Sequence, residues 1–139
     1  MLVRCLRNRI DLLEDPAIRR HVEEHVHLES ICLTIGECYQ VFGIFFRAGV
    51  PWYLLCENSE DDYPIPFCFA FFELVDGSIG SGWCLSLSNS NVGNVAILPD
   101  QWASDERFLE RLVDGEPDAI SYFNELKAIE ASRKHPRSA

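Results

Sequence analysis

Between residues 38 and 46, apolar side chains occupy both alternating sets of positions. Tyr39, Val41 and Phe45 fall on one set, and Cys38, Phe42, Ile44 and Phe46 on the other. Successive side chains of an extended chain point to opposite faces, so this segment must be covered on two sides or curled round a barrel. Gly43 in its middle permits a bulge or a sharp bend. Ala48-Gly49-Val50-Pro51 follows as a turn, and residues 52–56 read as the returning strand of a hairpin.

The acidic run 57–62 is too polar to bury and forms a loop. Tyr63-Pro64-Ile65-Pro66 is stiff and extended, because each proline fixes its own backbone and pushes the preceding residue out of the helical region. Residues 67–75 read as a third strand, and Asp76-Gly77 as a hairpin turn into a fourth around 83–87. A polar loop over 88–94 then leads to a short closing strand over 95–98.

Helical signals flank this strand region. After a short apolar segment at 3–6, Asp15 is a capping residue and Pro16 suits the first helical position. Ile18, Val22 and Val26 recur every four residues, so the spacing predicts an amphipathic helix over 15–27. Near the C-terminus, Ser104 can cap a helix carrying Phe108, Leu109, Leu112 and Val113, which ends at Gly115. Pro117 opens a second helix with Ile120, Phe123, Leu126 and Ile129 on one face, and the polar tail over 132–139 is expected to fray. The order implies an α+β fold: a small, strongly bent antiparallel sheet or SH3-like barrel, with one N-terminal and two C-terminal helices. With no repeat and no linker, residues 1–139 read as one domain. At 47% hydrophobic, the chain can build a core without metal or disulfide staples.

Charge is unevenly spread. The chain carries 12 Lys+Arg against 22 Asp+Glu, a net −10. Over residues 36–103, Arg47 stands alone against Glu37, Glu57, Glu60, Asp61, Asp62, Glu73, Asp76 and Asp100, so this region holds −7 of the total. Nucleic-acid backbones and anionic membranes are disfavoured as direct partners, since both are bound through Lys and Arg. No apolar run is long enough to span a bilayer. Arg4, Arg7 and Arg9 stand where a signal peptide would have its apolar stretch, so a cytoplasmic location is expected. One reading of the acids is simple solvation of loops. The other is a protein-binding face, in which Glu57, Glu60, Asp61, Asp62 and Asp76 attract a basic partner while Tyr63, Trp83 and Trp102 act as anchors.

The six cysteines, Cys5, Cys32, Cys38, Cys56, Cys68 and Cys84, show no CxxC spacing and sit mostly among apolar neighbours. They read as buried free thiols. His21 and His25 lie one helical turn apart, a spacing that can chelate a metal, but Val22 stands where HExxH requires glutamate. His27 would point elsewhere. The remaining histidine, His135, is in the tail, so no nucleophile has an evident base, although a thiol or metal enzyme using His21, His25 and Cys32 is an alternative, and a structural adaptor is another. The glycines of Gly77-Ser78-Ile79-Gly80-Ser81-Gly82 lack the lysine of a phosphate loop and read as a turn. No cofactor is implied.

The stretch Leu33-Thr34-Ile35-Gly36-Glu37-Cys38-Tyr39-Gln40-Val41-Phe42-Gly43-Ile44, with Trp52-Tyr53-Leu54, Tyr63-Pro64-Ile65-Pro66 and Phe72-Glu73-Leu74-Val75-Asp76, resembles a set of small uncharacterised bacterial proteins. Their shared features are an LTxGxxYxVxGI strand, a proline-containing extended piece and an FExxD strand. Some of them look like immunity proteins of contact-dependent or polymorphic toxin systems. The likeness covers residues 3–125, and Cys38 stands where a charged residue is more usual. It carries over no catalytic residue. Together with the small size, the −7 of the strand region and the lack of a catalytic constellation, it points to a non-enzymatic protein, an immunity protein whose partner is a basic toxin domain, such as a nuclease, neutralised by covering its active site.

Overall fold

The segment with apolar residues on both alternating sets is not one strand but two, and they belong to different sheets. A computed structural model describes residues 1–26, 31–87 and 95–133. His27, the polar loop 88–94 and the tail from 134, with His135, lie outside the described residues.

Strand β1 (Leu2–Cys5) is the centre of a three-stranded antiparallel sheet, between β2 (Cys38–Gln40) and β6 (Phe72–Asp76). A five-stranded antiparallel sheet runs β5 (Ile65–Cys68), β4 (Val50–Leu55), β3 (Gly43–Arg47), β8 (Val95–Pro99) and β7 (Trp83–Leu87). Neither sheet closes, so the α+β class holds and the barrel does not. The chain passes between sheets at Val41 and Phe42. The Val41 amide donates to the carbonyl of Met1 at 3.1 Å, and the next amide, Phe42, donates to Leu54 at 2.8 Å. Both residues are buried, each in a different core. Within 38–46, only Val41, Phe42, Gly43 and Ile44 are buried, where two layers meet at the crossing, while Cys38 is exposed and Tyr39, Phe45 and Phe46 are half-buried. Gly43 follows the crossing because a Cβ there would lie 2.6 Å from Leu98 Cδ2 and 3.1 Å from Leu54 Cδ1.

A second crossing divides the expected strand over 67–75. Between β5 and β6, residues Phe69–Phe71 form a single 3-10 turn that carries the chain from one sheet to the other, with Cys68, Phe71 and Phe72 all buried. Consequently β6 and β7 do not form the hairpin suggested by Asp76-Gly77, for they lie in separate sheets. Local turn chemistry was present, but β6 is taken up by pairing with β1 and β7 by pairing with β8. The hairpin at Ala48–Gly49 does form, pairing Arg47 with Val50.

Helix α1 (Pro16–His25) begins as expected, with Asp15 Oδ1 accepting from the amides of Ala17 and Ile18. Its Val22 is fully buried in the first core, with Val3, Val41, Trp52, Leu55 and Phe71. At the other end, α2 (Asp100–Ala103), α3 (Phe108–Val113) and α4 (Pro117–Ser132) close a second core around Phe42, Leu54, Leu98, Trp102, Phe108 and Phe123. Ser104 terminates α2 and does not cap α3, because the extra turn at 100–103 uses it first. Ile129 is 56% exposed, and Glu130 takes the inward position beside it. That buried carboxylate accepts from Arg133 at 3.0 Å and lies 3.7 Å from the amino nitrogen of Met1, tying α4 to β1. No helix among the described residues is long and apolar enough to cross a membrane.

Candidate functional site

Of the eight residues expected to form an acidic and aromatic face, five share the loop between β4 and β5. Three neighbouring acids at 60–62 repel one another, and the loop supplies compensation from its own backbone and from α4. Asp61 Oδ2 accepts from the Asn58 amide at 3.0 Å, closing the turn locally. Lys127 on α4 donates from Nζ to the carbonyls of Asp61 at 2.6 Å and Ser59 at 3.3 Å, while its ammonium lies 5.0 Å from the Phe123 ring centroid. A cation beneath the turn offsets part of the repulsion. Glu57 Oε2 accepts from the Cys32 amide at 2.7 Å. Pro64 is fully buried and anchors the extended segment, which leaves Tyr63 39% exposed beside exposed Glu60 and Asp62.

The other three expected residues do not join this loop. Asp76 is 4% exposed and accepts from the Ser78 amide at 2.9 Å, so it shapes its own turn from the interior. Trp102 is 5% exposed, with its ring 4.7 Å from that of Phe108, so it is a core residue rather than a surface anchor. Trp83 is half-buried on β7, where the backbone of Gly80 approaches so closely that a Cβ would lie 2.5 Å from the indole nitrogen. Trp102, next but one to Asp100, is drawn inward because burying so large an apolar surface outweighs exposing it.

Beside the acidic loop lies an open cleft of about 690 Å³, walled by residues from 34–42, from 56–59 and from the last turns of α4. Glu57 belongs to both loop and cleft. Glu37, Cys38, Tyr39 and Lys127 also line it, and sequence reasoning did not group them. Nothing in their spacing signals it, since residues as far apart in the chain as Glu37 and Lys127 meet there only through tertiary packing. Burial pushes the Cys56 thiol in this wall up to about 11, which keeps it protonated at neutral pH.

The thiols divide differently from the expectation of general burial. Cys5 and Cys68 are buried and Cys56 is intermediate, whereas Cys32, Cys38 and Cys84 are exposed. All six are free.

The rings of His21 and His25, one helical turn apart, lie tilted against each other with centroids 4.4 Å apart. Trp52 occupies the coordinating position of the first: its indole nitrogen donates to His21 Nε2 at 2.9 Å. His25 Nδ1 meets the carbonyl of His21 at 2.7 Å and therefore carries the proton there. Arg47 lies 5.0 Å from the centroids of both Phe45 and Trp52, extending the stack with a guanidinium. Burial lowers the His21 pKa, and the neighbouring His25 and Arg47 lower it further. Among the described residues, no three His, Cys, Asp or Glu side chains gather closely enough to hold a metal ion.

Comparisons with family models, with curated proteins and with solved structures give no match to this chain.

Proposed function

We propose that this protein is a non-enzymatic binding protein, specifically an immunity protein that neutralises a basic toxin domain by covering its active site. The observation that carries the reading is the loop at 57–63, which holds Glu60 and Asp62 exposed next to a half-exposed Tyr63 on a proline-stiffened stem. Such a loop meets a basic groove with little ordering cost, and its charge speeds the encounter. The negative balance of the strand region acts in the same sense. The partner is a protein, and neither nucleic acid nor membrane is engaged directly.

The test is co-expression with the C-terminal domain of the protein encoded beside this gene, reading growth and complex formation. Rescue by the wild-type chain is expected. Replacing Glu60, Asp61 and Asp62 with lysine should slow association and flatten its salt dependence. Tyr63→Ala should speed dissociation, at about 2 kcal/mol if Tyr63 is a central anchor. A matched reversal of exposed Glu23, Glu106 and Glu125 is the control. Failure of the wild-type chain to rescue removes the immunity reading; equal weakening by the control moves the interface off the loop.

A further inference from the structure

The cleft beside the acidic loop has the size of a small-molecule site, which commonly measures about 300–1,000 Å³. Its walls come from three separate segments, and two of these contribute a carboxylate, Glu37 before β2 and Glu57 after β4. Glu57 is oriented by the Cys32 amide. Among the described residues, neither carboxylate lies within salt-bridge distance of an Arg or Lys. The lysine in the wall, Lys127, directs its ammonium to the carbonyls of Ser59 and Asp61. Phe42, Ala128 and Ala131 give the cleft an apolar lining.

We infer that this cleft is a binding site for an organic cation, an ammonium or guanidinium group carried on an apolar stem. The stem would lie along Phe42 and the alanines of α4, and the charge between Glu37 and Glu57. An anion would face two carboxylates, and an uncharged ligand would leave them desolvated without compensation. The cation could come from a free amine or from an arginine or lysine side chain of a basic protein. The second source would deepen the function proposed above, but the selectivity of the cleft is measured with no partner present.

Exposed Cys38 in the cleft wall is the reporter, and exposed Cys84 on β7 is the reference outside it. Two methanethiosulfonates of similar size, one bearing trimethylammonium and one bearing sulfonate, are reacted with the native protein, and peptide mass spectrometry reads each site. Arg4, paired with Glu73 at 2.8 Å, interacts with the Cys38 thiol and would bias it toward the anion. Glu73 offsets that bias at the same place, so the share owed to Glu37 and Glu57 is read from the double variant. The cation-to-anion rate ratio at Cys38 should exceed that at Cys84 by about tenfold. It should fall to the Cys84 value in Glu37→Gln/Glu57→Gln, which keeps an acceptor for the Cys32 amide and so preserves the fold.

Agmatine and a blocked peptide containing one arginine are then tested as protectants of Cys38. Protection by agmatine identifies a free amine as ligand, and protection by the peptide alone identifies a protein side chain. Equal rate ratios at Cys38 and Cys84, an unchanged ratio in the double variant, or no protection by either probe overturns the site. None of these results depends on the partner experiment, so the cleft and the immunity reading fail separately.

Discussion

The indole nitrogen of Trp52 donates to Nε2 of His21 across 2.9 Å, joining α1 to the middle of β4. The bond requires neutral His21, because a protonated ring has no acceptor nitrogen. It explains why a histidine pair with chelating spacing serves packing instead: the strand side chain beneath the helix already occupies one of the ring nitrogens.

That bond makes stability depend on pH. His21 has a folded pKa below its ordinary 6.5, through burial first and then through His25 and Arg47, with Glu24 opposing. Below 6.5 the unfolded chain takes up a proton that the folded chain resists. The contribution of His21 is thus full above 6.5 and is lost as pH falls from there toward the folded value. The melting-temperature difference between wild type and His21→Gln, whose amide can still accept from Trp52, should shift against the wild type between about pH 7.5 and about pH 5. A difference that stays constant across that range would show that His21 does not titrate against folding.

Gly43→Ala should destabilise the protein by about 1–3 kcal/mol, because the new methyl meets the side chains of Leu98 and Leu54. Urea titration measures it. Leu98→Val in the same chain should recover part of the loss, and strict additivity of the two changes would place the crowding elsewhere.

Asp15→Ala removes the acceptor for the first amides of α1 and should cost about 1 kcal/mol, with Asp15→Ser restoring most of it. Thermal unfolding monitored by circular dichroism distinguishes the variants. Equal stability of all three would show that the cap contributes nothing.

A neutral alkylating reagent should modify Cys32, Cys38 and Cys84 in the native protein, and Cys5, Cys56 and Cys68 only after denaturation. Cys56 belongs to the slow group because its thiol stays protonated at neutral pH. Peptide mapping resolves the sites, and native labelling of Cys5 or Cys68 would contradict the packing of the first core.

Much of the local architecture was legible in the sequence because its causes lie within a few residues. Asp15-Pro16 starts a helix through its own amides, Ala48-Gly49 turns a hairpin, and Pro117 opens α4. The acidic loop and its proline stem were equally plain, since a run of carboxylates cannot be buried unpaired. The cleft was not legible, because Glu37, Glu57 and Lys127 are brought together only by packing.

Sheet membership lay beyond local signals. Alternation suggested cover on both sides of 38–46, whereas only 41–44 is buried, where two sheets exchange the chain at Val41 and Phe42. The same holds for Asp76-Gly77, whose turn residues suit a hairpin although β6 and β7 pair with different strands. Trp102 and Tyr63 both stand near acids, yet one is in the second core and the other at the surface. Composition and turn chemistry act over the few residues that a dihedral or a cap can reach. The partner of a strand, and the side on which an aromatic ring is buried, depend on apolar surface contributed by distant segments, which is set only when the whole chain packs.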